Sequence, residues 1–320
     1  MRRAALGIAL LAFAAAALAQ GLPQRPIRIV VPHAVGGNSD AFGRILAAKL
    51  GERLGQQVIV ENRTGAGGTV GSESVARSAP DGTTLLVADN GTHAVAPTLY
   101  VKLPYNVFKD FTPIMVATSF PTVILLHPSV PAKDAPEFAV LAKASPGKYT
   151  FASAGTGNVS HLALELFRLA AGGLDMVHVP YKGGAPAVQA LIAGDVDMTA
   201  VSVNTSLPHI KSGKARAIAI ASPKRSPVLP ELPTLAEQGI QGGEAGGWLA
   251  IVGPAGIPAD VAARLNQEIR AALNSPEVKE RLAGIGQEVV ASTPEQYAAM
   301  LPGEVQKWGE AVKRSGARVD

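Results

Sequence analysis

The chain has 320 residues, a formal net charge of +4, 47% hydrophobic and 5% aromatic residues, and no cysteine. At roughly 150 residues per domain this length suits two domains, and the missing thiol excludes a disulfide scaffold, a thiolate metal site and a cysteine nucleophile. A weak positive balance with no basic run and few aromatics excludes nucleic-acid binding by a charged stripe and stacking platforms.

Arg2 and Arg3, the apolar stretch 4–17 and the small-x-small triplet Ala17-Leu18-Ala19 ahead of Gln20 form a secretory leader, expected to be cleaved after residue 19. The apolar stretch is short for a membrane span of about 20 residues. Without cysteine the processed chain has no N-terminal thiol to lipidate, so a freely soluble periplasmic protein is expected. No later stretch is apolar enough to span a bilayer.

After the leader, short β-branched runs alternate with helical periodicity. Residues 27–31 read as a buried strand, followed by a glycine-containing turn. A helix is expected to start near Ser39 or Asp40, with Phe42, Ile45, Leu46, Leu50 and Leu54 on one face. Further strands are predicted at 58–60, 84–87, 123–126, 149–152, 176–179, 196–200, 215–221 and 249–252. Helices are predicted at 137–144, 160–171, 185–193, 258–274 and 294–314. Such alternation predicts an α/β protein with mostly parallel sheets flanked by helices. The strand–turn–helix unit at 29–46 returns at 150–166, which suggests two lobes of similar design. Lobe 1 is assigned to 20–125, lobe 2 to 126–225, and 226–320 to a return to lobe 1 with C-terminal helices.

The two repeated turns carry the most chemistry. One holds Ala34, Val35, Gly36, Gly37, Asn38, Ser39 and Asp40; the other holds Ser153, Ala154, Gly155, Thr156, Gly157, Asn158, Ser160 and His161. Glycine lets a backbone approach a ligand closely. A helix start leaves amides unpaired and carries partial positive charge, so such a turn binds an anion without Arg or Lys. Both turns leave the carboxyl end of a strand, where open α/β sheets bind ligands. The plain alternative is an ordinary connection in which Asp40, Ser39 or Ser160 caps a helix. Asn90, Lys182 and Asn204 also follow strands and are candidate ligand donors.

Enzyme and cofactor motifs fail on inspection. Gly65-Ala66-Gly67-Gly68-Thr69-Val70-Gly71 has Val70 where a dinucleotide loop needs glycine, and Ser160 spoils the second glycine turn in the same way. GxxxxGK[ST], GxSxG and HExxH do not occur, and the six histidines are scattered. No catalytic residue, metal site or cofactor is assigned, and no enzyme activity is expected.

The order of motifs resembles the substrate-binding proteins of tripartite tricarboxylate transporters, the Bug-type receptors. The likeness runs from Arg25-Pro26-Ile27 to Lys307-Trp308. It includes Gly36-Gly37 with Asp40, Leu54-Gly55-Gln56, Val60-Glu61-Asn62-Arg63, Pro80-Asp81-Gly82, Ser145-Pro146-Gly147, His178-Val179-Pro180-Tyr181-Lys182-Gly183, Gly194-Asp195-Val196-Asp197 and Pro254-Ala255-Gly256. The resemblance implies a two-lobed, periplasmic-binding-protein-like fold with a ligand cleft between the lobes. It implies that the two turns form a pincer on a small organic acid, and that the partners are integral membrane transporter subunits. His33-Ala34-Val35 and Asn38-Ser39 depart from the commoner Phe-Ala-Ala and Pro-Thr sequences. Alternatives kept open are a secreted enzyme using His161, Lys182 or Asp40, and a partner that presents ligand to a membrane sensor kinase.

Overall fold

A computed structural model describes residues 25–181 and 183–319, with the side chain of Asn204 also outside the description. The expected leader lies outside the described residues. In chain order the elements are β1 (Ile27–Val31), α1 (Asn38–Leu54), β2 (Val58–Asn62), a 3-10 turn (Ala66–Gly68), α2 (Thr69–Ala76) and β3 (Thr84–Asp89). A π-helical turn (Asn90–Val95), α3 (Ala96–Leu99), β4 (Phe111–Phe120), β5 (Thr122–Leu126), α4 (Ala135–Ala144), β6 (Thr150–Ser153) and α5 (Val159–Ala170) follow. Then come β7 (Val177–Pro180), α6 (Gly184–Ala193), β8 (Met198–Ser202), α7 (Val203–Lys211) and β9 (Arg216–Ile220). The chain closes with β10 (Gly247–Pro254), α8 (Ala259–Leu273), α9 (Pro276–Gly284), β11 (Glu288–Val289) and α10 (Pro294–Ser315).

These elements make two sheets flanked by helices, ordered β11-β4-β10-β3-β1-β2 and β7-β6-β8-β5-β9. In the first, β1 to β4 share a direction that β10 and β11 oppose; in the second, β6 to β9 share one that β5 opposes. The reversed strands β5 and β10 are those the chain enters directly after crossing between sheets. Having left one sheet at its carboxyl edge, the chain can begin the next only from that same side. Because β5 pairs with β8 and β9, the first crossing falls at Phe120-Pro121-Thr122. The limit of 125 set from sequence gives way to it, since the 122–126 strand completes the second sheet.

Burial explains why the sheets hold. β1 and β3 are buried on both faces, as strands covered by helices must be. Phe42, Leu46 and Leu50 of α1 pack with Leu265 and Ile269 of α8 over one face of the first sheet. Val123, Leu125, Val188 and Leu191 form a separate core behind the second. A third cluster joins the lobes, running from Val30 and Leu86 to Phe138, Phe167 and Trp308. α10 is its brace: it packs on β4, α3 and the Asn90–Val95 turn and also reaches α5 of the second lobe. Glu304 of α10 accepts hydrogen bonds from the indoles of Trp248 (2.8 Å) and Trp308 (3.0 Å) and from Lys307 (2.5 Å). Among the described residues no helix is long and apolar enough to cross a membrane.

Candidate functional site

The crossings set the carboxyl edges of the two sheets against each other. Phe120 ends β4 at one edge and Thr122, paired with Ser202, starts at the other. The return chain is stitched alongside: Ala245 N–H donates to Ala221 O, Ala221 N–H to Thr122 O (2.8 Å), and Thr122 N–H to Ser222 Oγ (3.2 Å). β1 and β6 therefore release their turns toward the same gap. The second turn touches the first lobe there, since a Cβ on Gly157 would lie 2.6 Å from both Leu99 methyl carbons.

In the first turn Ala34, Val35, Gly36 and Gly37 are all exposed, Val35 to 70%. Gly36 sits at φ +86, a conformation that favours glycine, whereas Gly37 is the N-cap of α1 at φ −79 with no side-chain cap. Asp40 is not the N-cap considered from sequence. It lies in the first turn of α1, 3% exposed, and its carboxylate reaches back to accept from Gly36 N–H (2.9 Å). It also accepts from Asn62 Nδ2 (2.8 Å) and Arg44 Nε (3.0 Å). Burial alone would raise the Asp40 pKa; the hydrogen bonds from Arg44, Gly36 and Asn62 outweigh it and hold the group below the usual carboxylate range. Arg44 thereby cancels a negative charge that would otherwise oppose an anion at this helix start. Gly36 N–H is spent on Asp40, and the amides of Ala34 and Val35 in the turn, and of Ser39 and Asp40 at the start of α1, have no hydrogen-bond partner among the described residues.

The second turn is braced without net charge. Ser153, fully buried, donates to Gly155 O (3.1 Å), accepts from Gly155 N–H (3.2 Å) and meets His178 Nε2 at 2.6 Å. Ala154 N–H donates to Ser160 Oγ (2.8 Å), and Gly157 N–H donates to His161 Nδ1 (3.1 Å). Asn158 caps α5 by accepting from Ser160 N–H (3.0 Å). Phe151, His178 and His161 stack in a column, the two imidazoles 3.9 Å apart and 17° from parallel. Burial pushes both histidines down to about 4. Arg168 adds to this at His161, and His161 adds to it at His178. Both rings are neutral at pH 7. The amides of Ala154, Gly155 and Gly157 are thus occupied within the turn. Those of exposed Thr156, and of Val159 and His161 at the start of α5, have no partner among the described residues.

The remaining candidates divide. Asn90 follows β3 at the right edge, but its buried side chain accepts from Trp248 N–H (2.8 Å) and donates to Gly246 O (3.4 Å) and Glu304 Oε2 (3.3 Å). It ties the return strand to lobe 1. Lys182 and the side chain of Asn204 lie outside the described residues. Ser153 and His178 have the contact distance of a nucleophile and base, but the hydroxyl is buried and engaged by the Gly155 main chain. Among the described residues no three His, Asp or Glu side chains come together as metal ligands.

Sequence reading missed Asn62, which donates to both His33 O (3.1 Å) and Asp40, and the pair formed by His33 Nε2 with Asp89 Oδ2. Only the order of strands could have exposed that pair: β1 and β3 are neighbours, so residues at or just beyond their carboxyl ends come together.

Residues 42–317 match the family model described as tripartite tricarboxylate transporter family receptor. The chain belongs to this family. BugT of Bordetella pertussis is 37% identical over 314 residues, covering 98% of this chain and 96% of BugT. MatC from Rhodopseudomonas palustris, solved with bound malate, is 36% identical with TM-score 0.78, over 91% of this chain and 99% of MatC. Rpa4515 from R. palustris, solved with adipate, is 31% identical with TM-score 0.82, over 93% of this chain and 99% of that one. This receptor therefore has the two-lobed α/β architecture of periplasmic binding proteins.

Proposed function

We propose that this receptor captures a small organic carboxylate between its lobes, in the periplasm, and delivers it to the membrane subunits of a tripartite tricarboxylate-type transporter. One observation supports the reading: α1 and α5 each start after a strand's carboxyl end and keep unpartnered amides at Ser39 and Asp40, and at Thr156, Val159 and His161. Both ends carry partial positive charge, and Arg44 neutralises the one carboxylate built into them. The relatives that hold malate and adipate, each a dicarboxylate, support the class of ligand.

The energy scale suffices. Micromolar affinity needs about 8 kcal/mol, and hydrogen bonds to a charged group contribute about 1.5–3 kcal/mol each, so four or five amides reach it after ordering costs. The main chain of residues 34–40 and 153–161 then contacts the ligand, while Asp40, Ser153, Ser160 and His161 hold that main chain in shape. A thermal-shift screen of C4 to C6 dicarboxylates with calorimetry on the hits tests the reading. The expected result is a micromolar ligand recovered unchanged; no hit, or chemical turnover of the hit, would overturn it.

A further inference from the structure

His33 leaves β1 at the edge facing the second lobe, directly before the exposed turn at 34–37. Three segments fix this residue. Nε2 meets Asp89 Oδ2 at the end of β3, and Asp89 is itself fixed by Thr92 N–H (2.9 Å) and Thr92 Oγ1 (3.1 Å). Its Cε1 lies against Gly68, where an added Cβ would be 3.2 Å away. Its carbonyl accepts from Asn62 Nδ2 (3.1 Å). One ring atom is left over: Nδ1 has no hydrogen-bond partner among the described residues, and 36% of the side chain is exposed. The imidazole has one nitrogen committed to a buried carboxylate and one without a partner, on a partly exposed residue directly before the turn that opens α1.

The surrounding charges are settled without it. Asp40, on α1, is paired with Arg44 at 3.0 Å. Glu61, on β2, is paired with Arg28 (3.2 Å) and Arg63 (3.3 Å). His93, in the Asn90–Val95 turn, is fully buried and held neutral by that burial. Asp89 is the charged group that acts on the ring.

We propose that His33 Nδ1 is a donor to a carboxylate of the bound anion, which makes ligand capture proton-linked. This rests on the receptor reading above and adds to the main-chain amides a side chain whose donor capacity depends on pH. Attraction to Asp89 raises the His33 pKa above its ordinary value, against the opposing effect of burial. The ring is doubly protonated, with Nδ1–H available, below that raised value. Affinity should therefore be full near pH 6 and fall as pH rises through the raised pKa, a window above about 6.5.

The test is calorimetry of the purified protein with malate, adipate and other C4 to C6 dicarboxylates between pH 6 and 9, in two buffers of different ionisation heat. Wild type should weaken roughly tenfold or more across the range and take up protons on binding at the alkaline end. His33→Gln should lose roughly tenfold at pH 6, bind with little pH dependence and take up no proton. His33→Gln binding within twofold of wild type with an unchanged pH profile would overturn the proposal and leave the receptor reading standing. Failure of wild type to bind any of the panel would remove both. Should the variant not fold, ¹⁵N resonances of the wild-type His33 ring decide: Nδ1 should shift on addition of the ligand that binds, and an unmoved resonance would overturn the assignment.

Discussion

The turn after β1 in the first lobe is braced by charge, with Asp40 on Arg44 and His33 on Asp89, whereas the turn after β6 in the second is braced by hydroxyls, an amide and two neutral stacked imidazoles. The first is exposed, and the cationic partners Arg44 and His33 reach water while their carboxylates are largely buried. The second is wedged against Leu99, where an unpaired charge would cost several kcal/mol. The two turns should therefore respond to pH in opposite senses. Alkali removes the His33 proton and loosens the first turn; acid protonates His161 and His178 and opens the second.

The largest effect should come from Gly157→Val. Its φ of +75 disfavours a side chain, and the new Cβ would run into Leu99 at 2.6 Å. A loss of about 3 kcal/mol or more is expected, read as a fall in Tm together with loss of binding. Mild acid should come next. The folded values of about 4 for His161 and His178 lie below the ordinary imidazole value of 6.5. The unfolded chain therefore binds more protons between these limits, and stability falls as pH drops from 6.5 toward 4. Hydrogen exchange at pH 5 should show the amides of 154–157 opening before those of the first turn.

Asp40→Ala should cost about 2 kcal/mol, because it strands Gly36 N–H, Asn62 and Arg44 together. That exceeds a typical cap loss of about 1 kcal/mol, and urea denaturation would separate the two. The smallest effect on stability should be that of Gly37→Val, which has φ −79 and meets only Ala34 O at 3.5 Å. Tm should stay within a degree or two while affinity falls at least tenfold, because the side chain shields the amides of α1. Undiminished affinity would place the ligand elsewhere.

Much of the fold was legible because buried strands advertise themselves: Ile27-Arg28-Ile29-Val30-Val31 and Thr122-Val123-Ile124-Leu125-Leu126 could hardly be anything else. β4 was not legible. Phe111–Phe120 contains Pro113, which argues against an interior strand; Pro113 pairs with Val252 beside a register shift, where a missing amide proton is tolerated. α2 was hidden by the Gly and Ser in Thr69–Ala76. For the site, the positions of both turns followed from strand–glycine–helix order. Which amides were already spent did not, because Asp40 to Gly36 and His161 to Gly157 depend on side-chain rotamers that no spacing encodes.

Trp248 and Trp308 are the chain's two tryptophans, and both donate to one oxygen of Glu304. Every indole photon the protein emits thus originates around the Glu304 carboxylate, and Trp248 stands one residue past the Gly246-Gly247 return to lobe 1. Without any added label, emission colour becomes a strain gauge for the crossing, and titrating a solute while watching it would register whether the lobes shift as the solute arrives.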